Sequence, residues 1–372
     1  MVEKNRALPN IQPSNIKFKL NLILRWEEQN VKKQKWWTGL LLGLLSAGSL
    51  ATTTPALAQD TRTVTDMSGT KVTLPEKVNR VADLWHANNE VVMLLGGQDK
   101  LAATTPMIQK QKWVQTIDPD ITKVKAPFAG DQLQTEELLK TKPDVVISSD
   151  PGQVKAARQA KLPTVNAMYQ DFAGLKKSVR LTAQVLGGQA PQVAAKYVRY
   201  LDHNIKLVQA KVGHQASRPT VLHIVNPTDL TKVDGQKTIV DEWINLAGGK
   251  NAIKQRGNMI QVTKEELLKA NPAVIIVGQT NTRAARAALA KDPTLSQLTA
   301  VKENKVYANP QGVFPWDRYS GEEALQVLWA AKLLHPKSMR SVDMNKETRA
   351  FYRTYYHYDL TKKQAHQILT NQ

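Results

Sequence analysis

The chain has 372 residues, of which 42% are hydrophobic and 22% charged, an ordinary composition for a globular protein with room for two or three domains. Its formal net charge is +19, but the basic residues are scattered and form no arginine-rich or aromatic-interleaved run, which argues against a nucleic-acid partner. The absence of cysteine excludes disulfide bonds and a lipid attached to a cysteine.

The first 58 residues are predicted to be an extension and a signal peptide. Basic Lys32–Lys35 precedes an apolar run at Gly39–Leu50, and Ala56–Ala58 fits an A-x-A cleavage site. The run is shorter than the ~20 residues needed to cross a bilayer. We therefore expect cleavage before Gln59 and a freely floating protein in a Gram-negative periplasm, with secretion to the medium as the alternative. Export also makes nucleic acid an unsuitable partner. A translation start at Val31 is a further hypothesis.

The next segment alternates predicted strands and helices, a pattern typical of a parallel sheet. Two short extended pieces flank Ser68-Gly69, and a strand ends near Leu84. We expect a helix at Glu90–Leu95 and strands at Leu101–Thr105 and Leu162–Met168. This segment is predicted to form an α/β lobe.

Two segments repeat one another, Thr135–Ser148 and Lys264–Val277, with eight identical residues at fourteen aligned positions. In each copy two leucines are expected to form the apolar face of a short helix, and a proline ends it before a buried strand. These residues are Leu138, Leu139 and Pro143 in the first copy and Leu267, Leu268 and Pro272 in the second. The repeat predicts two equivalent lobes, the alternative being a coincidence between two common α/β units.

A long helix is predicted between the lobes, at Ala190–Val212. The second lobe follows, with strands at Thr220–Asn226 and Lys305–Pro310 and a last large helix at Glu322–Leu334. A tyrosine-rich tail is expected to pack back over the body. The predicted divisions are 1–58 (extension and signal peptide), 59–189 (first lobe), 190–213 (connecting helix), 214–344 (second lobe) and 345–372 (helical tail).

Several motifs resemble those of the periplasmic substrate-binding proteins of ABC importers for iron-siderophore, haem, cobalamin and related metal chelates. The resemblance covers nearly all of residues 61–372. The motifs that carry it lie at Arg62–Pro75, Lys142–Ile147, Leu246–Ala252, Val262–Pro272, Lys305–Pro310 and Phe314–Pro336. It implies two Rossmann-like α/β lobes joined by a single long α-helix, the class III architecture, with the ligand held between them.

The resemblance also implies a partner, the dimeric membrane permease of an importer. By motif position, Glu136 and Glu265 correspond to the glutamates that dock on permease arginines in this family. Two symmetric carboxylates would suit a twofold partner, and the alternative is two solvated glutamates at helix starts. The implied protein is a monomer without catalytic activity or a cofactor of its own.

Loops that follow the strands are the expected ligand site, because open α/β sheets bind beyond the carboxyl ends of their strands. Arg318 could clamp a carboxylate or catecholate, while Trp85 and Trp316 could cover a flat chelate face. The candidates are Trp85, His86, Asn88, Met107, Gly130, Asp150 and Tyr169 in the first lobe and Asn226, Gln279, Trp316, Asp317 and Arg318 in the second.

Histidines are considered separately because they could hold a metal. His86 could ligate the metal of a bound chelate or could hydrogen-bond a backbone group, whereas His223 lies inside a predicted strand and is read as a packed side chain. No cluster of three histidines with a carboxylate is visible, which disfavours a site for bare Zn²⁺ or Mn²⁺.

The expected ligand is an anionic metal chelate, with an iron-siderophore complex favoured. Cobalamin, haem, a nickel or cobalt chelate, and an adhesin or signalling role are the alternatives. The net positive charge favours an anion, although it could serve solubility alone. An exported enzyme is disfavoured, since the chain has no G-x-S-x-G, H-E-x-x-H or P-loop motif.

Overall fold

The computed structural model describes residues 60–215 and 217–372, so the predicted signal peptide lies outside the described residues. None of the helices in this described part has the length and apolar character needed to cross a membrane. Residues 58–372 form one compact unit. Within it, a parallel sheet comes before a long helix in the chain order, and a mixed sheet with parallel strands at its centre comes after it.

The first lobe is built on a four-stranded parallel sheet. Its strand order is β4-β3-β7-β8, and the ends of its strands therefore meet at one edge. Two antiparallel hairpins, β1-β2 and β5-β6, lie outside this sheet. The strands are β1 Thr61–Thr65, β2 Lys71–Pro75, β3 Val81–Asp83, β4 Leu101–Ala103, β5 Phe128–Ala129, β6 Gln132–Leu133, β7 Val145–Ser148 and β8 Thr164–Asn166.

The second lobe has a six-stranded mixed sheet. Strands β9, β13 and β14 are parallel neighbours, β11 pairs with β9 in parallel, and β10 and β12 extend the other edge antiparallel. These strands are β9 Thr220–Asn226, β10 Asp229–Val233, β11 Lys250–Asn251, β12 Ile260–Gln261, β13 Val274–Val277 and β14 Val306–Ala308. Each lobe thus has a parallel centre, as the alternating pattern predicted.

Helices cover both sheets and connect them. In the first lobe they are α1 His86–Leu94, α2 Pro106–Lys110, α3 Lys112–Ile117, α4 Thr135–Lys140, α5 Pro151–Gln159 and α6 Phe172–Leu186. The connecting helix is α7 Ala190–Val212. The rest are α8 Ile239–Leu246, α9 Lys264–Ala270, α10 Thr282–Lys291, α11 Thr299–Lys302, α12 Glu323–Leu334, α13 Met344–Tyr355 and α14 Lys362–Thr370.

The connecting helix α7 has the bounds that the sequence predicts. Its 23 residues span ~35 Å at 1.5 Å per residue. Pro191 lies in the first turn, where a missing N–H costs no intrahelical bond. From α7, Tyr197 donates to the carbonyl of Gly321 at 2.8 Å and Asn204 donates to that of Ala324 at 2.8 Å. The helix is therefore fixed to the start of α12 in the second lobe.

Helix α1 begins at His86 and not at Glu90, so this predicted boundary was wrong. The Asp83 carboxylate at the end of β3 accepts from Trp85 N at 3.2 Å and from Asn88 Nδ2 at 2.8 Å. Asn89 Nδ2 donates to the Asp83 carbonyl at 2.9 Å. Asparagine is a weak helix former in isolation, but here these side chains tie the first helical turn to the sheet.

The repeated segments occupy equivalent places, because α4 leads into β7 and α9 leads into β13, each an interior strand of its sheet. One expectation about them was wrong. Leu138 and Leu267 are fully buried, but Leu139 is 43% exposed and Leu268 37% exposed. Consecutive helical residues point about 100° apart, and in each copy the first leucine faces the core while the second faces solvent.

This difference within the repeat gives a matched stability test. We expect Leu138→Ala and Leu267→Ala each to lower the free energy of unfolding by about 2–5 kcal/mol, because each leaves a cavity in a lobe core. Leu139→Ala and Leu268→Ala should change it by less than about 0.5 kcal/mol, as for most surface sites. Urea unfolding followed by circular dichroism measures both pairs. Equal losses at the buried and exposed positions would contradict the packing described.

Candidate functional site

A buried group of charged side chains lies in the second lobe, where β9, β10 and the segment before α12 meet. His223 Nδ1 lies 2.8 Å from Asp234 Oδ2, and His223 Nε2 lies 3.0 Å from Asp317 Oδ2, an ion-pair distance without hydrogen-bond alignment. Arg318 donates through Nη2 to Asp234 Oδ2 at 2.9 Å and to Asp317 Oδ2 at 3.1 Å. We refer to these four residues as the charged cluster.

The charged cluster is close to electrically balanced. Burial alone would raise the pKa of the Asp317 and Asp234 carboxyls, but the Arg318 guanidinium and His223 hold both pKa values below their usual range. Burial opposes the charged form of His223, yet its contacts with both aspartates raise its pKa. Two anions therefore face two groups that favour the cationic form.

The charged cluster holds Arg318 in one orientation. Its Nε also donates to Asp317 Oδ2 at 3.1 Å, which leaves Nη1 buried and without a partner among the described residues. Trp243 donates from Nε1 to the Asp317 carbonyl at 3.1 Å and packs edge-on against the His223 ring at 5.9 Å. The guanidinium is thus held by both aspartates, and one of its nitrogens has no partner among the described residues.

Three buried aromatic rings pack against one another, and we refer to Trp85, Tyr169 and Tyr319 as the aromatic cluster. Trp85 and Tyr169 come from the first lobe, while Tyr319 directly follows Arg318 in the second. The ring centroids are 5.6 Å apart for Trp85–Tyr169 and Trp85–Tyr319 and 5.4 Å apart for Tyr169–Tyr319. These rings join the two lobes across the edge where the strands end.

Tyr319 is positioned from both sides. Its hydroxyl donates to Gln170 Oε1 of the first lobe at 3.3 Å and accepts from Asn258 Nδ2 of the second at 3.2 Å. Its φ of 56° is unusual for a large side chain and places it among the strained residues that often mark functional sites. A second interlobe ring contact, between His86 and Phe314, has a centroid distance of 5.5 Å.

Comparison with known proteins assigns the chain. A family model described as periplasmic binding protein matches residues 81–312, which include both sheets and the connecting helix. The chain belongs to the periplasmic binding protein family. Its architecture is that of class III: two Rossmann-like lobes joined by a single long α-helix. The protein is a periplasmic substrate-binding component of an ABC transporter, a family that is not enzymatic.

Three proteins similar to this periplasmic binding protein are described here, and the name of one of them states its ligand. The molybdate-binding protein MolA of Haemophilus influenzae is 26% identical over 79% of this chain and 91% of its own length. The uncharacterized ABC transporter substrate-binding lipoprotein YvrC of Bacillus subtilis is 26% identical over 74% and 89%. A solved periplasmic solute-binding protein of Veillonella parvula is 26% identical, with a TM-score of 0.72 over 84% and 97%.

The structure of this binding protein brings only some of the predicted site residues together. Trp85, Tyr169, Asp317 and Arg318 lie in the two clusters just described. Trp316 is fully buried beside them in the chain, and its Nε1 has no partner in the described part. His86 has its pKa lowered by burial, which favours the neutral imidazole. Metal ligation by His86 stays a prediction, and no group of three potential metal ligands occurs within residues 60–215 and 217–372.

The other predicted residues either form hydrogen bonds within their own lobe or are exposed to solvent. Asn88 is buried, donates to Asp83 and accepts from the Thr182 hydroxyl at 2.9 Å, so both polar ends of its amide are bonded inside the first lobe. Three predicted residues are exposed and lie outside the two clusters: Met107 (48% exposed), Gly130 and Gln279. Asp150 caps α5 by accepting from Gln153 N at 2.8 Å, and Asn226 accepts three bonds in the β9–β10 turn.

Sequence reasoning missed several residues that the fold brings to the clusters. Tyr319 lies inside the FPWDRYSG motif and could have been found by extending that motif by one residue. Gln170 directly follows Tyr169 and could have been found in the same way, whereas Asp234 and Asn258 carry no comparable signal and reach the site only through the fold. Glu323, the first residue of α12, reads as an ordinary helix-start carboxylate but is fully buried.

Glu90 and the C-terminal helices make a further interlobe contact in the binding protein. Glu90 of α1 accepts from Gly321 N at 2.6 Å and from the hydroxyl of Tyr356, close to the C-terminus. A Cβ on Gly321 would lie 2.5 Å from Leu94 Cδ1, so a larger residue here would require the Leu94 side chain to shift. Glu322 accepts from Tyr352 at 2.6 Å and from Phe314 N at 2.9 Å. The tail therefore packs back onto both lobes.

This contact predicts a pH dependence. Burial raises the pKa of Glu90 to about 7, against a value of 4.5 for an unperturbed glutamate, although Tyr356 and Gly321 N oppose the shift. Between these values the native state holds a proton that the unfolded chain has lost, so the stabilisation present below pH 4.5 is lost as pH rises toward about 7. We expect Glu90 to lower the free energy of unfolding of the wild type by on the order of 3 kcal/mol as pH rises over this window, and Glu90→Gln to lack this contribution.

The measurement is the free energy of unfolding of both proteins at intervals between pH 4.5 and pH 8. Exposed Glu76 of the first lobe supplies the control, and Glu76→Gln should leave the slope of the wild type unchanged. Burial also raises the pKa of Glu322, to about 8. Glu322 therefore adds its own pH dependence to the free energy of unfolding of the wild type, Glu90→Gln and Glu76→Gln. A wild-type slope that survives in Glu90→Gln would contradict this account.

Proposed function

We propose that this protein captures an anionic metal chelate between its lobes, with an iron-siderophore complex as the first candidate, and delivers it to the permease of an importer. The observation that carries the proposal is the aromatic cluster, which joins the lobes through Tyr319, the residue that follows the braced Arg318. Aromatic faces bury the apolar surface of a chelate, and Arg318 Nη1 supplies a hydrogen bond to a ligand oxygen.

A ligand would enter by replacing contacts that the rings make with one another. Trp85, Tyr169 and Tyr319 are all buried, and each ring packs against the other two. Opening the lobes would expose their faces, and closing on a chelate would bury them again against the ligand. Because one long helix connects the lobes, the movement should be a modest one about α7.

Molybdate is the second candidate, favoured by the identity with MolA, which spans 91% of that protein. A tetrahedral oxyanion would use the Arg318 nitrogen and would need less opening of the aromatic cluster. Both candidates place the ligand in the same cleft, and both ligands contain a metal that is cargo, not a cofactor of the protein.

Permease docking by Glu136 and Glu265 remains part of the proposal. Both glutamates are exposed in the first turns of equivalent helices, α4 and α9. An exposed leucine follows each glutamate one turn later, at Leu139 and Leu268. Paired carboxylates beside apolar side chains suit an interface with a charged and an apolar component. We place the exported protein in the periplasm as a monomer without a lipid anchor.

Thermal unfolding of the purified protein tests the ligand assignment. The solutes are ferric citrate, catecholate and hydroxamate siderophores, haem, cobalamin, nickel-histidine and molybdate. A solute at 100 times its Kd stabilises the native state by about 2.7 kcal/mol, which shifts Tm by several degrees. We expect one class to give this shift and Trp85→Ala to remove it, while Tyr307→Ala, remote in β14, keeps it. A shift unaffected by Trp85→Ala would contradict the cleft as the site.

A further inference from the structure

Two tyrosines near the C-terminus donate hydrogen bonds to carboxyl groups of different lobes. Tyr356, directly after α13, donates to Glu90 of α1 in the first lobe. Tyr352, one turn earlier in α13, donates to Glu322 of the second lobe at 2.6 Å. The two tyrosine rings lie edge-on with centroids 4.9 Å apart, and all four side chains are buried. A packed pair of rings therefore connects the lobes, and we refer to these four residues as the tyrosine clasp.

The two carboxyl groups of the tyrosine clasp belong to parts of the chain that are fixed to their own lobes. Glu90 lies in α1, the helix whose first turn is bonded to the end of β3. Glu322 follows the segment that contains Arg318, and Arg318 is bonded to Asp234, after β10, at 2.9 Å. The tyrosine clasp is thus a connection between the lobes additional to the connecting helix α7.

The second-lobe end of the tyrosine clasp is tightly packed. The Tyr352 hydroxyl also accepts from Val313 N at 3.1 Å. A Cβ on Gly312 would collide with this hydroxyl and with the Glu322 carboxyl group. The Tyr352 ring packs edge-on against Trp113 of the first lobe, with a centroid distance of 6.5 Å. Separation of the lobes at this contact therefore breaks at least one buried hydrogen bond, which costs free energy because a buried polar group loses its partner.

Helix α13 also lies against the connecting helix. The ring of Tyr355 in α13 contacts Tyr197 and Tyr200 of α7, with centroid distances of 5.9 Å and 6.1 Å. The covalent connection between the lobes and the non-covalent one are therefore packed on each other. A movement of the lobes about α7 then changes the distance between Glu90 and Glu322, and the tyrosine clasp opposes that change.

We propose that the tyrosine clasp limits how far the lobes separate, so that the cleft opens only when at least one hydrogen bond of the clasp breaks. This concerns the regulation of the cleft and rests on the proposed function only in that a solute binds between the lobes. The clasp depends on the hydroxyl groups, because the rings alone still pack and fill nearly the same volume. A phenylalanine in place of either tyrosine leaves a buried carboxyl group with one partner fewer, which favours the separated state.

The distance between labels on the two lobes tests the proposal, and the chain suits this measurement because it contains no cysteine. Spin labels are attached at Lys155→Cys in α5 and Ala287→Cys in α10, both exposed positions. Electron paramagnetic resonance then gives the distribution of label distances without solute. We expect Tyr352→Phe and Tyr356→Phe each to raise the population at longer distance about five- to tenfold, as for one lost buried hydrogen bond, and the double variant to raise it further.

The matched control is Tyr358→Phe, because among the described residues the Tyr358 hydroxyl bonds only to Gln364 of the tail, at 3.1 Å. This variant should keep the wild-type distribution. Gly312→Ala displaces the Tyr352 hydroxyl without removing it and should act as Tyr352→Phe does. An unchanged distribution in the double variant, shown to be folded by circular dichroism, would overturn the proposal, and so would an equal change in Tyr358→Phe. The proposed function fails by a different result, a bound solute that is indifferent to Trp85→Ala.

Discussion

Replacing Arg318 with alanine is expected to abolish solute binding and to lower the free energy of unfolding by about 3–5 kcal/mol. Arg318 is the only described cation besides His223 that touches Asp234 and Asp317, and all four are buried. Without it, two carboxylates lie in a low-dielectric interior with incomplete compensation, and the free guanidinium nitrogen is lost from the cleft. Chemical unfolding and titration calorimetry measure the two effects.

Two further variants separate charge from packing in this result. Arg283→Ala removes an arginine from an exposed position of α10 and should leave both measurements unchanged. Combining Arg318→Ala with Asp317→Asn removes one of the stranded charges, so part of the stability should return while binding stays lost. If Arg318→Ala alone unfolds like the wild type, the charged cluster contributes little and its description as a braced site is wrong.

The second large effect concerns transport. We expect the double variant Glu136→Arg, Glu265→Arg to bind its solute with unchanged affinity but to lower uptake through the permease about tenfold or more, because each reversal replaces an attraction across the interface by a repulsion. Both side chains are exposed and their helices are held by Leu138 and Leu267, so the fold should tolerate the change. Uptake of labelled solute by cells or by proteoliposomes containing the permease measures it.

The control for docking is a second pair of exposed glutamates outside the repeat. Glu76→Arg with Glu303→Arg makes the same change in net charge and should leave uptake intact. Equal loss in both double variants would attribute the effect to overall charge. Normal uptake in the Glu136 and Glu265 variant would instead remove these residues from the docking proposal.

Much of the architecture follows from local patterns in the chain. The duplicated helix–proline–strand segment predicts two equivalent lobes, and an uninterrupted helical stretch predicts α7 with its observed bounds. These features depend on neighbouring residues, which a sequence displays directly. Boundaries were wrong where a tertiary contact decides them, as at His86, where the carboxylate of Asp83 organises the first turn.

The site was less predictable because it is assembled from distant segments. Trp85, Tyr169 and Arg318 follow strands and could be proposed from that position alone. Asp234 and Glu323 could not, since only the topology shows that one meets Arg318 and that the other is buried. A sequence also gives no sign that Arg318 is neutralised by neighbours, and for that reason the net charge of the chain is a poor guide to the charge of the cleft.

The bond between Glu90 and Tyr356 bears on the order of folding, because its partners are 266 residues apart. Because a protein is synthesised from its N-terminus, the first lobe can fold early. Its hydrogen bond between Glu90 and Tyr356, however, can form only when the C-terminal helices are present. Contacts so distant in sequence form late. We therefore expect the circular dichroism signal to recover before solute binding when the unfolded protein refolds. During synthesis, a chain should then bind solute only after its C-terminal helices have been added.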